Sequence, residues 1–114
     1  MRKSICRLTE KLARTSLRNT RFRLAAVIAT GNRVISYGVN RNKPPGTYPC
    51  SIHAEDAALR RGTGRHLYVC RVLADGTIAP SKPCPECMAI IRQRGIETVY
   101  YTEDGWRELA VESA

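Results

Sequence analysis

The sequence predicts an α/β domain in which a mixed sheet of four to five strands is flanked by helices. Three observations lead there. Short apolar runs bounded by turn residues recur at 22–30, 33–39, 66–73 and 96–101, as strands require. Segments 3–18, 52–61 and 85–94 read as helices, the first from apolar residues at helical spacing and the others from the glycines that stop them and Pro85 at the start of the last. The last of these helices joins strand 66–73 to strand 96–101, a connection of the length that a parallel crossover needs. With 114 residues, one domain spanning 1–114 with a single modest core is expected. That leaves no room for a separate recognition domain, so specificity must come from loops, termini or a second subunit.

The elements follow in order. In 3–18, Ile5, Leu8, Leu12 and Ala13 share one face, with basic residues on the other. Residues 22–30 and 33–39 form a hairpin across Gly31-Asn32, a two-residue turn signal. A loop follows at Pro44-Pro45-Gly46. The helix at 52–61 stops at Gly62, and Ala54, Ala57 and Ala58 keep it thin enough to lie close to a sheet. Strand 66–73 ends near Asp75-Gly76, and Thr77-Ile78-Ala79 suits a short hairpin arm. Pro85 fits the first helical position, which makes Cys84 the N-cap of a helix ending at Gly95. After strand 96–101, Asp104-Gly105 is a turn and 106–112 reads as a final helical turn.

Composition sets bounds. No apolar run is as long as a membrane span, so no membrane partner is expected. The N-terminal segment lacks the apolar core of a secretory signal. Its arginines superficially suit a transit peptide, but the segment also reads as an integral first helix. The five cysteines are odd in number and two form a C-x-x-C, so metal binding in a reducing, cytoplasmic compartment is expected rather than a disulfide framework. Cys6, Cys50 and Cys70 read as small buried hydrophobes, with Cys50 the one credible spare ligand. Residues 2–23 hold eight cations against Glu10 alone, which accounts for +7 of the net +9. Such a segment can attract nucleic acid, or it can be a solvated face.

The chemistry is concentrated in His53-Ala54-Glu55 and Pro83-Cys84-Pro85-Glu86-Cys87. Cys84 and Cys87, three apart at a helix start, share a face. The helix N-terminus favours the negative sulfur that zinc binds. His53 opens another helix. Two such starts facing each other on one sheet would converge His53, Cys84 and Cys87 on a single ion and leave a fourth position to water, which is the pattern of an open, catalytic zinc site. Glu55, two residues on, is rotated away from the ligand direction, where it can act as general base and acid. Glu86 reads as a solvated first-turn acid.

This H-x-E…P-C-x-x-C pattern resembles that of the zinc-dependent base deaminases. The chain resembles a minimal member of the cytidine deaminase superfamily, in the branch with a histidine first ligand. That branch holds deoxycytidylate deaminases, tRNA adenosine deaminases and polynucleotide cytidine deaminases. The likeness runs from the Arg-rich first helix to Val99-Tyr100-Tyr101. It implies the three-layer cytidine-deaminase-like fold, Zn2+ held by His53, Cys84 and Cys87, and Glu55 as proton shuttle. It also implies attack by hydroxide on the ring carbon bearing the amine, loss of ammonia, and a pocket lined by backbone N–H groups of Ala54 and Cys84. Asn40 falls where the family places an asparagine against the substrate's sugar or base; the alternative is a strand-end turn residue. Tyr101 or Tyr100, ending the last strand, resembles an aromatic that packs on the base in polynucleotide deaminases; the alternative is ordinary strand packing.

Three departures bear on the substrate. Lys82 stands where bacterial tRNA adenosine deaminases usually carry Glu. The 75–81 hairpin lengthens the approach to Cys84. Larger members continue with a further strand and helix after the strand at 96–101, so a partner copy in a homo-oligomer is a natural source for the pocket's far wall. The expected reaction is conversion of cytosine to uracil in single-stranded DNA or RNA, supported by residues 2–23, by Arg60, Arg61 and Arg65, and by Tyr48, Tyr100, Tyr101 and Trp106 as stacking groups. The alternatives are a free nucleotide or nucleoside such as dCMP or cytidine, adenine in tRNA, and a non-catalytic basic zinc module that binds nucleic acid.

Overall fold

The computed structural model describes residues 1–15, 22–39, 41–42, 51–52, 54–73 and 75–112. The elements are α1 (Lys3–Thr15), β1 (Phe22–Thr30), β2 (Arg33–Val39), β3 (Arg41–Asn42), β4 (Ser51–Ile52), α2 (Ala54–Arg61), β5 (His66–Leu73), β6 (Ile78–Ala79), α3 (Pro85–Gln93), β7 (Thr98–Thr102) and β8 (Trp106–Ala110). Five strands run in the order β2-β1-β5-β7-β8, and β6 adds to β5 to make a six-stranded sheet. β5 and β7 are parallel, with α3 as the crossover between them, and the other pairs of this sheet are antiparallel. No helix among the described residues is long and apolar enough to cross a membrane.

Side-chain alternation along the strands divides the core into two layers. Ile5 and Cys6 of α1 pack with Val27, Ala29, Tyr68 and Tyr100 on one face of the sheet. Ala58 and Leu59 of α2 and Ile91 of α3 pack with Ala26, Ile28, Leu67, Val69, Val99 and Tyr101 on the other. The arrangement is therefore three-layered, with α1 alone on one side and α2 and α3 together on the other.

In α1 the buried residues Ile5, Cys6, Thr9 and Ala13 recur every few positions. The buried Thr9 hydroxyl donates to the Ile5 carbonyl at 2.7 Å, which removes the cost of placing it there. The helix is described through Thr15, and the predicted continuation over 16–18 lies outside the described residues. The β1–β2 hairpin turns at Gly31, whose φ of 60° is easiest for glycine, and pairs Thr30 with Arg33. Gly64 allows another close approach: a Cβ there would lie 2.8 Å from Ile35 Cδ1.

Two readings of the sequence need correction. Residues 106–110 form a strand, β8, antiparallel to β7, rather than a helical turn. Side chains alternate across this strand: Trp106 packs toward α1, and Leu109 packs toward the α2–α3 layer. The second correction concerns β3 and β4, a two-residue ladder that pairs Arg41 with Ile52 and Asn42 with Ser51. Because Ser51 and Ile52 are extended, α2 begins at Ala54 instead of 52.

Candidate active site

α2 and α3 run side by side in the same direction. Their C-terminal ends are tied by the Thr63 hydroxyl, which donates to the Arg94 carbonyl at 2.8 Å. Their N-terminal ends therefore lie together at the edge of the sheet where the parallel strands β5 and β7 finish. In α/β sheets this carboxyl edge is where ligands bind, because loops and helix starts converge there.

Cys84 is the N-cap of α3, with extended backbone (φ −69°, ψ 164°), and Pro85 follows at the first turn, as the sequence predicts. The first helical bond runs from the Met88 N–H to the Cys84 carbonyl at 2.8 Å. Cys87 is buried, Cys84 is half-buried, and neither is in a disulfide. Glu55 is the second residue of α2 and only 3% exposed. Its Oε1 is sealed from solvent. Ala54 opens α2, so its N–H is one of the amides for which the helix offers no internal acceptor.

His53, Asn40, Cys50 and Tyr48 lie outside the described residues. His53 immediately precedes α2 in the chain, and Asn40 sits between β2 and β3. Among the described residues no cluster of three or more metal-ligating side chains occurs. The donors available are the two thiols at the start of α3, and the histidine next to α2 would complete a set of soft N and S ligands. That chemistry suits zinc better than magnesium or calcium.

The two tyrosines that sequence alone leaves open separate cleanly. Tyr101 packs with α2 and α3, whereas Tyr100 faces α1 and lies 4.6 Å from Tyr68, ring centre to ring centre. Trp106 is also on the α1 side, where its Nε1–H donates to Glu10 at 3.0 Å. The remaining described thiols, Cys6 of α1 and Cys70 of β5, lie in the layer between α1 and the sheet. Burial, reinforced by the Glu10 carboxylate, pushes Cys6 up to about 11 and Cys70 up to about 12, so both stay protonated and inert.

Among the described residues, the cations of α1 and those at the C-terminal end of α2 lie away from the starts of α2 and α3. Lys3, Arg7, Lys11 and Arg14 are exposed on α1, on the opposite side of the sheet from α2 and α3. Arg61 sits at the C-terminal end of α2, 5.7 Å over the Tyr37 ring. Arg65 is held by Glu97 through two bonds of 2.8 and 3.2 Å. Sequence reasoning also missed a buried pair beside the site: Ser81, three residues ahead of Cys84, and Thr102, the last residue of β7, are bonded to each other. They are 21 positions apart, and no periodic pattern connects them.

The sequence model of the cytidine and deoxycytidylate deaminase zinc-binding region matches residues 1–103, nearly the whole chain. The chain belongs to the cytidine and deoxycytidylate deaminase family. Zinc is thus the family's metal, and the thiols of Cys84 and Cys87 are ligands of the kind it takes. Solved structures agree on the fold. The cytidine deaminase from Burkholderia pseudomallei has a TM-score of 0.74 at 16% identity, over 97% of this chain and 93% of its own. That of Mycobacterium tuberculosis has a TM-score of 0.63 at 18% identity, over 94% and 89%. The dCMP deaminase from the cyanophage S-TIM5 has a TM-score of 0.60 at 23% identity, over 87% and 82%. No curated protein matches significantly in sequence. This deaminase is a hydrolase of the family's zinc-dependent type, acting on a cytidine-type substrate.

Proposed function

We propose that this deaminase converts cytosine to uracil in a free nucleoside or nucleotide, with water consumed and ammonia released. In this reading His53, Cys84 and Cys87 hold the zinc, and Glu55 moves the protons. Bound zinc supplies Lewis acidity, which gives a nucleophile from water near neutral pH. Glu55 accepts one proton from the attacking water at its carboxylate and passes it to the ring nitrogen, where it stays; it then takes the second proton from the hydroxyl formed on the ring carbon and passes it to the departing amine. In the same reading, the N–H groups of Ala54 and Cys84, at the starts of α2 and α3, hold the base's carbonyl. Tyr101 packs beside the base and Asn40 contacts the sugar.

The observation that carries this reading is Glu55: a carboxylate 3% exposed in the first turn of α2, at the sheet edge where α3 also begins. A zinc module with a purely structural role would have no use for an acid sealed there.

Small substrates are favoured by where the charge lies. The exposed cations of α1 are on the far side of the sheet from α2 and α3. Two of the named neighbours, a cytidine deaminase and a dCMP deaminase, carry small molecules in their names. A polynucleotide substrate is the second reading, favoured by the net charge of +9. Incubating the zinc-loaded protein with cytidine, deoxycytidine, dCMP, single-stranded DNA and RNA, and weighing the products, separates the two. A gain of about one mass unit, amine replaced by carbonyl, is expected on a free nucleoside or nucleotide. The same gain on DNA or RNA alone would favour the second reading.

A further inference from the structure

The segment that carries the chain from β6 to Cys84 has few means of being held. Pro80 and Pro83 have no N–H to donate, and Lys82 is exposed. Among the described residues, the hydrogen bonds that anchor 80–83 run through Ser81, which is 5% exposed. Its N–H donates to the Thr102 carbonyl at 2.8 Å, and its hydroxyl donates to the Val69 carbonyl of β5 at 2.9 Å. The same oxygen accepts from the Thr102 N–H at 2.7 Å. The Thr102 hydroxyl, on a residue 1% exposed, donates to the Ala79 carbonyl at 2.7 Å and lies 2.8 Å from the Ser81 hydroxyl. Two hydroxyl protons thus serve three oxygen contacts.

The place of this knot matters. Val69 and Tyr101 are the last parallel pair of β5 and β7, and Ser81 bridges the point just beyond, where the two strands part. Three residues later the chain delivers Cys84 as the N-cap of α3.

We propose that Ser81 and Thr102 are positioning residues for the zinc-binding turn: they fix the departure of 80–84 from the sheet and so set the separation of the Cys84 and Cys87 sulfurs from the start of α2. This rests on the reading of Cys84 and Cys87 as metal ligands. The knot touches neither substrate nor metal and acts through the backbone between Ser81 and Cys84. Groups that orient metal ligands typically change metal affinity by about 10- to 100-fold when removed.

The test uses the full chain with Ser81→Ala, the near-isosteric Thr102→Val, the hydroxyl-retaining Thr102→Ser, and Cys84→Ser as reference. Zinc affinity is measured by chelator competition, and thiolate coordination by the sulfur-to-metal absorption band of the cobalt-loaded protein. Ser81→Ala and Thr102→Val should each weaken zinc at least tenfold and shift the cobalt band, while Thr102→Ser stays within about threefold of wild type. Should Ser81→Ala fail to fold, Thr102→Val decides. A lower melting temperature with zinc affinity within twofold of wild type in both variants would reduce the pair to ordinary core bonding and overturn the proposal. If Cys84→Ser binds zinc as tightly as wild type, the ligand reading itself is wrong, and the positioning role goes with it.

Discussion

Tyr100 and Tyr101 are neighbours in β7 and face opposite layers: Tyr100 packs toward α1 against Tyr68, and Tyr101 packs among residues of α2 and α3. One residue of register thus decides which of two identical side chains shares the layer of α2 and α3. Tyr101→Leu is expected to lower kcat/KM about tenfold or more, the scale of a lost aromatic contact to a base. Tyr100→Leu should leave kcat/KM within about threefold while lowering the melting temperature by several degrees, since it opens space under α1. Steady-state kinetics and thermal melts of both variants check this, and a larger kinetic loss at Tyr100 would reverse the assignment.

Glu55→Gln keeps the size of the side chain and removes its capacity to carry a proton. Turnover is expected to fall by a factor of about 10² to 10⁴, the usual worth of a positioned acid–base group, with zinc content unchanged. Ammonia release and metal analysis on the same preparation are the measurements. A variant that loses its zinc would place Glu55 among the ligands instead.

Much of this site is legible in the residue pattern alone. Pro85 marks the first turn of α3 and Cys84 its cap because proline tolerates only a few helical positions. The β1–β2 hairpin follows from Gly31-Asn32. What stays hidden depends on the third dimension. Periodicity gives α1 a buried face without saying which side of the sheet receives it. As a result, the arginines of 2–23 look like part of the site in sequence, whereas those on α1 lie behind the sheet. Trp106 and Leu109 are three apart, which imitates a helix when the two residues belong to different layers. The Ser81–Thr102 knot joins residues whose types carry no signal at that separation.

The position of α1 predicts that its charge does not serve catalysis on small substrates. Replacing Lys3, Arg7 and Lys11 with Gln should leave kcat/KM for the preferred nucleoside or nucleotide within about twofold, because charges a sheet's width away are largely screened. Any oligonucleotide binding should show a flatter dependence on salt in this variant. Kinetics at two ionic strengths and a binding titration against salt provide the check.

Cys6 and Cys70 make a pH prediction for stability. Their ordinary value is 9.0, and burial raises them to about 11 and about 12 in the folded protein. The folded state therefore holds these protons where the unfolded chain releases them, so the stability is fully present below pH 9 and lost as pH rises toward 11 and 12. Urea midpoints measured between pH 8 and 10.5 should fall (about the range in which the unfolded thiols ionise), and Cys70→Ala should flatten the decline. A midpoint independent of pH over that interval would contradict the burial of these thiols.

Hydrolysis of cytosine at this site can be read from the origin of one oxygen atom. Zinc-loaded protein is incubated with cytidine and with dCMP in water enriched in oxygen-18, and the product is weighed. A uracil product heavier than its substrate by about three mass units is expected, because the amine leaves and one oxygen comes from water. An unchanged substrate mass with both compounds, from protein shown to carry zinc, would contradict it.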